Sequence, residues 1–240
     1  MCTVTYLPLK NNDFILTSNR DETPLRNTIP PQEYIENGVA LTYPKDELAG
    51  GTWIGLSAEK RLVCLLNGGF EIHQRKGFYK MSRGIIVKDI LSAADSVAFI
   101  NEFDFIDIEP FTLVLVVWET QLEAYELVWD GAKKHFNKLP QEPRIWSSST
   151  LYTQEMKQVR KEWFAEFLKE NTEFTQEEIV QFHKIETLGT PETSLKMKRS
   201  FVETVSITSI IKTASAIKMK YIDFVSKSKA VQNKPVVQEF

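Results

Sequence analysis

Apolar positions in the first stretch of the chain fall in two strand-forming runs separated by a polar segment. Residues 3–9 (TVTYLPL) and 14–19 (FILTSN) are rich in strand formers and flank Lys10, Asn11, Asn12 and Asp13, which are turn residues. This pattern predicts a hairpin. With Asn11 and Asn12 as its loop, opposed positions sum to 23, which sets Cys2 opposite Asp21. Their Cβ atoms would then lie about 4.5–5.5 Å apart, and Arg20 would point to the other face unless a bulge or strand end intervenes. Residues 52–57 and 61–66, joined by Ala58, Glu59 and Lys60, predict a second hairpin. Strands over 111–118, 121–129 and 133–139 predict a meander whose last turn is Asp130-Gly131. Residues 201–211, 214–220 and 221–225 complete the expected strands.

The period changes to that of a helix in two regions. Ile86, Val87, Ile90 and Leu91 form one stripe over 83–94, and Ser92 to Asp95 resembles a capping box opening a second short helix. Over 152–169, Met156, Val159, Trp163, Phe164, Phe167 and Leu168 recur at spacings of three and four, with the charges expected opposite. Thr175 and Glu178 cap a further helix running towards His183.

Strand pairs, helices, a meander, helices and strands again predict an α+β fold of largely antiparallel sheets. Phe14, Ile15 and Leu16 are consecutive apolar residues, which implies burial on both faces of a strand. A four-layer α-β-β-α sandwich provides that burial. One domain over 1–226 is expected, followed by a polar tail at 227–240.

Composition narrows the function classes. The chain has 240 residues, 42% of them hydrophobic, and a net charge of -3 with both signs mixed throughout. Such a chain carries no electrostatic footprint for nucleic acid or an anionic membrane surface. Its longest apolar run, Leu113 to Trp118, is far shorter than the roughly 18 residues of a membrane span. Without a secretory-signal pattern, and with Cys2 and Cys64 as the only cysteines, a reducing cytoplasmic setting is expected. His73, His135 and His183 lack metal-ligand spacing and Cys64 lies within an apolar strand, so core or surface roles and no metal site are expected.

The candidate chemistry centres on Cys2. A small residue at position 2 permits removal of Met1, leaving one residue with both a thiol nucleophile and a free α-amine. Their reference pKa values, about 8.5 and about 7.7–8.0, let one accept the other's proton near neutral pH. Arg20 would favour the thiolate, and Asp21 would orient the amine and raise its pKa. The bland alternative is an incidental cysteine and a solvated loop at Asn19, Arg20, Asp21 and Glu22. Gly50-Gly51 lacks the lysine and helix of a phosphate loop and is expected to let backbone or substrate approach Trp53 at the mouth of a pocket. Ser82 reads as a helix N-cap and the adjacent Arg83 as a residue able to reach an anionic ligand.

Cys2-Thr3, the Asn19-Arg20-Asp21-Glu22 motif, Gly50-Gly51-Thr52-Trp53-Ile54-Gly55 and Ser82-Arg83-Gly84, in this order, resemble the NRDE family, which includes the transport and Golgi organisation proteins of animals. A more distant similarity is to penicillin V acylases and bile salt hydrolases, N-terminal-nucleophile enzymes that also begin Met-Cys-Thr. That resemblance implies Cys2 as nucleophile and base, Asp21 as the amine's partner, Arg20 as a substrate or thiol-tuning cation, and Asn67 as an oxyanion donor. Asn19, Trp53, Arg83 and Ser148 complete the expected substrate-binding set. Ser147 to Thr150 stands where the resemblance implies an Asn before the long helix, and the second arginine that it implies has no clear counterpart, Arg199 being a guess. The implied activity is hydrolysis of a linear amide or related acyl bond in a small molecule. The alternative implied by the NRDE resemblance is a carrier of haem or of a lipid or acyl-CoA ligand, with haem held by a Cys2 thiolate.

Overall fold

The computed structural model describes residues 3–171, 173–225 and 236–239. Its strands and helices begin β1 (Thr3–Pro8), β2 (Phe14–Glu22), β3 (Thr28–Glu36), β4 (Val39–Asp46), β5 (Ile54–Ser57), β6 (Arg61–Asn67), α1 (Arg83–Ser92) and α2 (Ser96–Glu102). They continue with β7 (Phe111–Val117), β8 (Glu123–Trp129), β9 (Lys134–Lys138), β10 (Arg144–Ser147), α3 (Gln154–Glu170), α4 (Gln176–His183), β11 (Glu203–Lys212), β12 (Ala216–Asp223) and β13 (Val236–Glu239). The strands form two antiparallel sheets, so the chain is α+β. It divides into two compact units, one of Met1–Leu25 with Glu142–Phe240 and one of Arg26–Gln141.

The first unit holds the six-stranded sheet, in the order β10-β1-β2-β11-β12-β13. Leu7, Ile15 and Ile145 on one of its faces pack with Phe164 of α3, Ile179 and Phe182 of α4, and Leu195. The alternate residues Val4, Tyr6, Phe14 and Leu16 are also fully buried, as two-faced burial of the strand requires.

The hairpin forms in a different register from the one predicted. Lys10–Asn12 is a 3-10 turn rather than part of a two-residue loop, with Asn11 and Asn12 at φ 61° and 60°. Asparagine tolerates this left-handed region better than most residues. Thr3 therefore pairs with Asn19 and Pro8 with Phe14, so opposed positions sum to 22. A shift of one residue exchanges the faces, and the pairing that set Cys2 opposite Asp21 is not the one the hairpin adopts. Cys2 itself lies outside the described residues.

The long helix also departs from its predicted stripe. Phe164 is buried, but Val159 is 39% exposed, and the inward position one turn before Phe164 belongs to Arg160, which is fully buried. Expecting all the charges on the outer face was therefore an error. Thr153 caps α3 by accepting from the Met156 N–H, and Thr175 with Glu178 forms the expected capping box of α4. At the other end of the chain Val236–Glu239, expected as part of a loose tail, pairs with Ala216 to Met219 of β12.

The second unit holds the seven-stranded sheet, in the order β3-β4-β5-β6-β7-β8-β9. Ile86, Val87, Ile90 and Leu91 of α1 are buried in one cluster with Leu41, Tyr43, Val63, Leu65 and Leu113. Ser92 does not cap α2. Its hydroxyl donates back to the Lys88 carbonyl at 2.9 Å, while the Asp95 carboxylate accepts from the N–H groups of Val97 and Ala98. The hairpin of β3 and β4 and the short β10 were not among the expected strands.

Candidate functional site

Asp21 lies near the end of β2, beside an irregularity in its neighbour. β11 pairs Thr204 with Asp21 and Ser206 with Arg20, leaving Val205 as an extra residue. Such a bulge turns a side chain out of the regular ladder. Asp21 is 3% exposed, and each of its carboxylate oxygens accepts a hydroxyl: Oδ2 from Tyr152 at 2.9 Å and Oδ1 from Thr204 at 2.6 Å. Thr204 is itself oriented, since its Oγ1 accepts from the Met197 N–H at 3.0 Å. A carboxylate gripped at both oxygens cannot rotate freely, and its charge has a fixed direction.

Asn19 shares a strand face with Asp21, and its side chain is engaged within the protein. Nδ2 donates to the carbonyls of His183, at 3.1 Å, and Leu195, at 2.7 Å. Oδ1 therefore faces His183 Nδ1 at 2.6 Å, which makes Nδ1 the protonated ring nitrogen. Nε2 then accepts from the Thr5 hydroxyl at 2.8 Å. With both amide protons donated to backbone and Oδ1 facing the imidazole, Asn19 clamps α4 to β2.

His183 is fully buried, and burial, with a smaller contribution from the Arg160 charge, brings its pKa from 6.5 down to about 3. The unfolded chain therefore binds a proton below about pH 6.5 that the folded protein refuses until about pH 3. The stability contributed by neutral His183 is fully present above pH 6.5 and is lost as pH falls towards 3. Urea midpoints measured between pH 7.5 and 4 should fall with acidification, and fall less steeply in His183→Gln.

Arg160 surrounds the same region with donors. Nη1 donates to Thr3 Oγ1 at 2.5 Å, Nη2 to the carbonyls of Thr193 and Ser194, and Nε to the Thr193 carbonyl. Its guanidinium lies 3.7 Å from the centroid of the Tyr152 ring, and that of Arg199 lies 5.3 Å from the same centroid. Arg199 also donates to the carbonyls of Leu151 and Glu192. The segment before α3 presents Tyr152 because its N–H donates to the Ser148 carbonyl at 3.1 Å. Ser148 is 1% exposed and its hydroxyl lies 2.9 Å from that of Thr150.

Thus the first unit brings together Asp21, Tyr152, Thr204, Arg160 and Arg199. Arg20, 3% exposed, points from the face of β2 opposite to Asp21, as strand alternation requires.

Trp53, Asn67 and Arg83 belong to the second unit. Trp53 is buried immediately before β5, and its carbonyl accepts from the Leu65 N–H at 2.8 Å. Asn67 closes β6 opposite Phe111 and is half-buried. Arg83 pairs with Glu109 at 3.1 Å and donates to the Pro110 carbonyl at 3.0 Å, while burial lowers its pKa. Its charge is matched inside the unit. Ser82 occupies the N-cap position of α1 without a side-chain cap bond. Gly51 is explained by close packing of backbone, since a Cβ on it would lie 2.6 Å from the Gly84 carbonyl carbon and one on Gly84 would lie 2.8 Å from the Thr52 oxygen, while Gly50 sits in the left-handed region at φ +69°. The close neighbour of this segment is therefore the start of α1. Among the described residues, no three His, Cys, Asp or Glu side chains are grouped to hold a metal ion, and no helix is long and apolar enough to cross a membrane.

Comparison with known proteins extends this picture. The family model described as Transport and Golgi organisation 2 matches residues 1–229. A search of curated proteins finds no match. Among solved structures, the Caenorhabditis elegans N-acylethanolamine-hydrolyzing acid amidase ortholog is similar at a TM-score of 0.63 and 13% identity, over 100% of both chains. A single-residue variant of conjugated bile acid hydrolase from Clostridium perfringens is similar at a TM-score of 0.52 and 10% identity, over 100% of this chain and 97% of that one. The fold is that of the N-terminal-nucleophile hydrolases.

Proposed function

The chain belongs to the Transport and Golgi organisation 2 family, and from that premise we propose that it is an N-terminal cysteine hydrolase of linear amide or related acyl bonds. The observation that carries this reading is Asp21, a buried carboxylate held at both oxygens by Tyr152 and Thr204. A carboxylate fixed in this way suits the task of orienting a terminal amine. The structural neighbours are named as an N-acylethanolamine-hydrolyzing acid amidase ortholog and a conjugated bile acid hydrolase, which supports the bond class but not a particular substrate.

In the proposed reaction Met1 is removed, and the α-amine of Cys2 takes the thiol proton, directly or through a water. The thiolate attacks the amide carbonyl carbon, and the carbonyl electron pair moves to oxygen. Collapse of that oxyanion breaks the C–N bond, with the amine's proton passing to the leaving nitrogen, and leaves a thioester on Cys2. Water adds to the thioester with its proton passing to the amine, and the released thiolate is reprotonated. Donors aimed at the oxyanion lower both barriers.

Intact mass of the purified protein tests the first requirement, and retention of Met1 rules the mechanism out. A panel of N-acyl amides, including an N-acylethanolamine, tests the second, with an acyl adduct on the Cys2 peptide expected after rapid acid quench. If Met1 is absent but there is no turnover and no adduct, while haem or acyl-CoA is bound, the chain is a carrier and the proposal fails.

A further inference from the structure

We propose that Arg160 is a positioning residue that ties the start of β1 to Asp21 through two arms, Thr3 and Tyr152. The inference rests on the reading of Cys2 and Asp21 as a functional pair, and adds the element that links Asp21 to Thr3 at the start of β1.

Three observations carry it. The first is burial of a full charge with no anion: Arg160 is 0% exposed and forms no ion pair with an acid among the described residues, its acceptors being Thr3 Oγ1 and the carbonyls of Thr193 and Ser194. A buried cation held only by neutral acceptors is costly to stability, so a helix-packing role alone would be better filled by an apolar side chain. The second is where its arms end. Nη1 reaches Thr3, the residue directly after Cys2 in sequence, and the guanidinium plane covers Tyr152, whose hydroxyl donates to Asp21 Oδ2. The third is a second clamp on the same ring. Arg199 lies 5.3 Å from the Tyr152 centroid, so two guanidinium groups, anchored to backbone carbonyls, fix the phenol that grips Asp21.

Among the described residues, the charged and titratable groups facing Arg160 are Tyr152 and Arg199 on the ring side, Asp21 beyond the phenol, and neutral His183. The arrangement predicts a direction. A fixed Asp21 raises the pKa of an adjacent amine, and an ammonium beside the thiol favours thiolate. Loosening either arm then moves the thiol's apparent pKa upward, and loss of the Arg160 charge moves it the same way.

The test follows the pH dependence of Cys2 alkylation by iodoacetamide, read by peptide mass so that the buried Cys64 does not contribute, alongside amide hydrolysis in the full chain with Met1 removed. Tyr152→Phe removes the hydroxyl that donates to Asp21, and Thr3→Val removes the acceptor on β1. Each is expected to slow alkylation at pH 7 by about threefold or more, through an upward shift of about half a pH unit. Arg160→Met should exceed either, and Arg160→Lys, which keeps the charge but not the planar stack, should recover part of the loss. The two arms should be non-additive when combined, because both act through one guanidinium.

Wild-type pH profiles in folded Tyr152→Phe and Thr3→Val overturn the inference, whether or not Arg160→Met folds. If wild type hydrolyses nothing yet the alkylation shifts are found, the catalytic reading fails and the positioning role stands. If wild type hydrolyses amides and both variants match it in pH profile, the positioning role fails and the catalytic reading stands.

Discussion

Asp21→Asn is expected to lower kcat/KM for amide hydrolysis by roughly a thousandfold, the scale of a lost acid–base partner, while the protein stays folded. The substitution is nearly isosteric, and hydroxyls can donate or accept. Asparagine keeps one oxygen for Tyr152 or Thr204 and turns its amide towards the other hydroxyl, so the folding cost should be about 1–2 kcal/mol. What disappears is the charge. In the proposed reaction the Cys2 amine then loses the carboxylate that orients it and favours its protonated form. The loss should lie in kcat with KM little changed, because in the proposed reaction Asp21 serves the amine and not the substrate. Steady-state kinetics with a thermal melt checks this, and Cys2→Ala, which removes the nucleophile, sets the floor. Activity within tenfold of wild type in folded Asp21→Asn would remove Asp21 from the mechanism.

Most of the strands were legible because their signals are local. The strand-forming runs of β1 and β2 and the meander of β7, β8 and β9 each depend on a few consecutive residues and formed where expected, although the last turn spans Asp130 to Lys133, with Trp129 paired to Lys134, and is longer than the Asp130-Gly131 pair alone. The hairpin of β3 and β4 was missed although its turn is a good one, with Asn37 at φ 51° and Gly38 at φ +82°. Pro30 and Pro31 interrupt the strand pattern. They are accommodated because β3 is an edge strand whose register slips between Ile29 and Gln32.

The candidate site was legible in part, and each miss has its own physical cause. The motif at Asn19 to Glu22 identified Asp21, yet the register that paired it with Cys2 was wrong by one residue, because the loop took a 3-10 turn with two left-handed asparagines. Tyr152 and Thr204 are far from Asp21 in sequence, and nothing in a single sequence announces contacts across 131 and 183 positions. Arg160 was hidden by the rule that helix charges face solvent. The available signal was its position: it lies four residues before Phe164, on the stripe the other apolar residues define, while Val159 is the outlier.

Asn19→Ala is expected to destabilise the first unit by about 3 kcal/mol or more, although Asn19 opens the motif that identifies the site. The side chain is fully buried and makes three hydrogen bonds to α4 and the segment after it. Truncation leaves the carbonyls of His183 and Leu195 and the His183 Nδ1–H without the partner they have now, and each orphaned buried group costs about 1–3 kcal/mol. Asn19→Asp should be no better, because a carboxylate cannot donate to two carbonyls and would be a buried charge. If Asn19 instead bound substrate, Asn19→Ala would raise KM with little change in the urea midpoint. The clamp predicts a large fall in that midpoint, with KM unaltered for the fraction that remains folded. A urea midpoint within experimental error of wild type would show that α4 is held to β2 by its apolar contacts alone, through Phe182, Ile179 and Ile15.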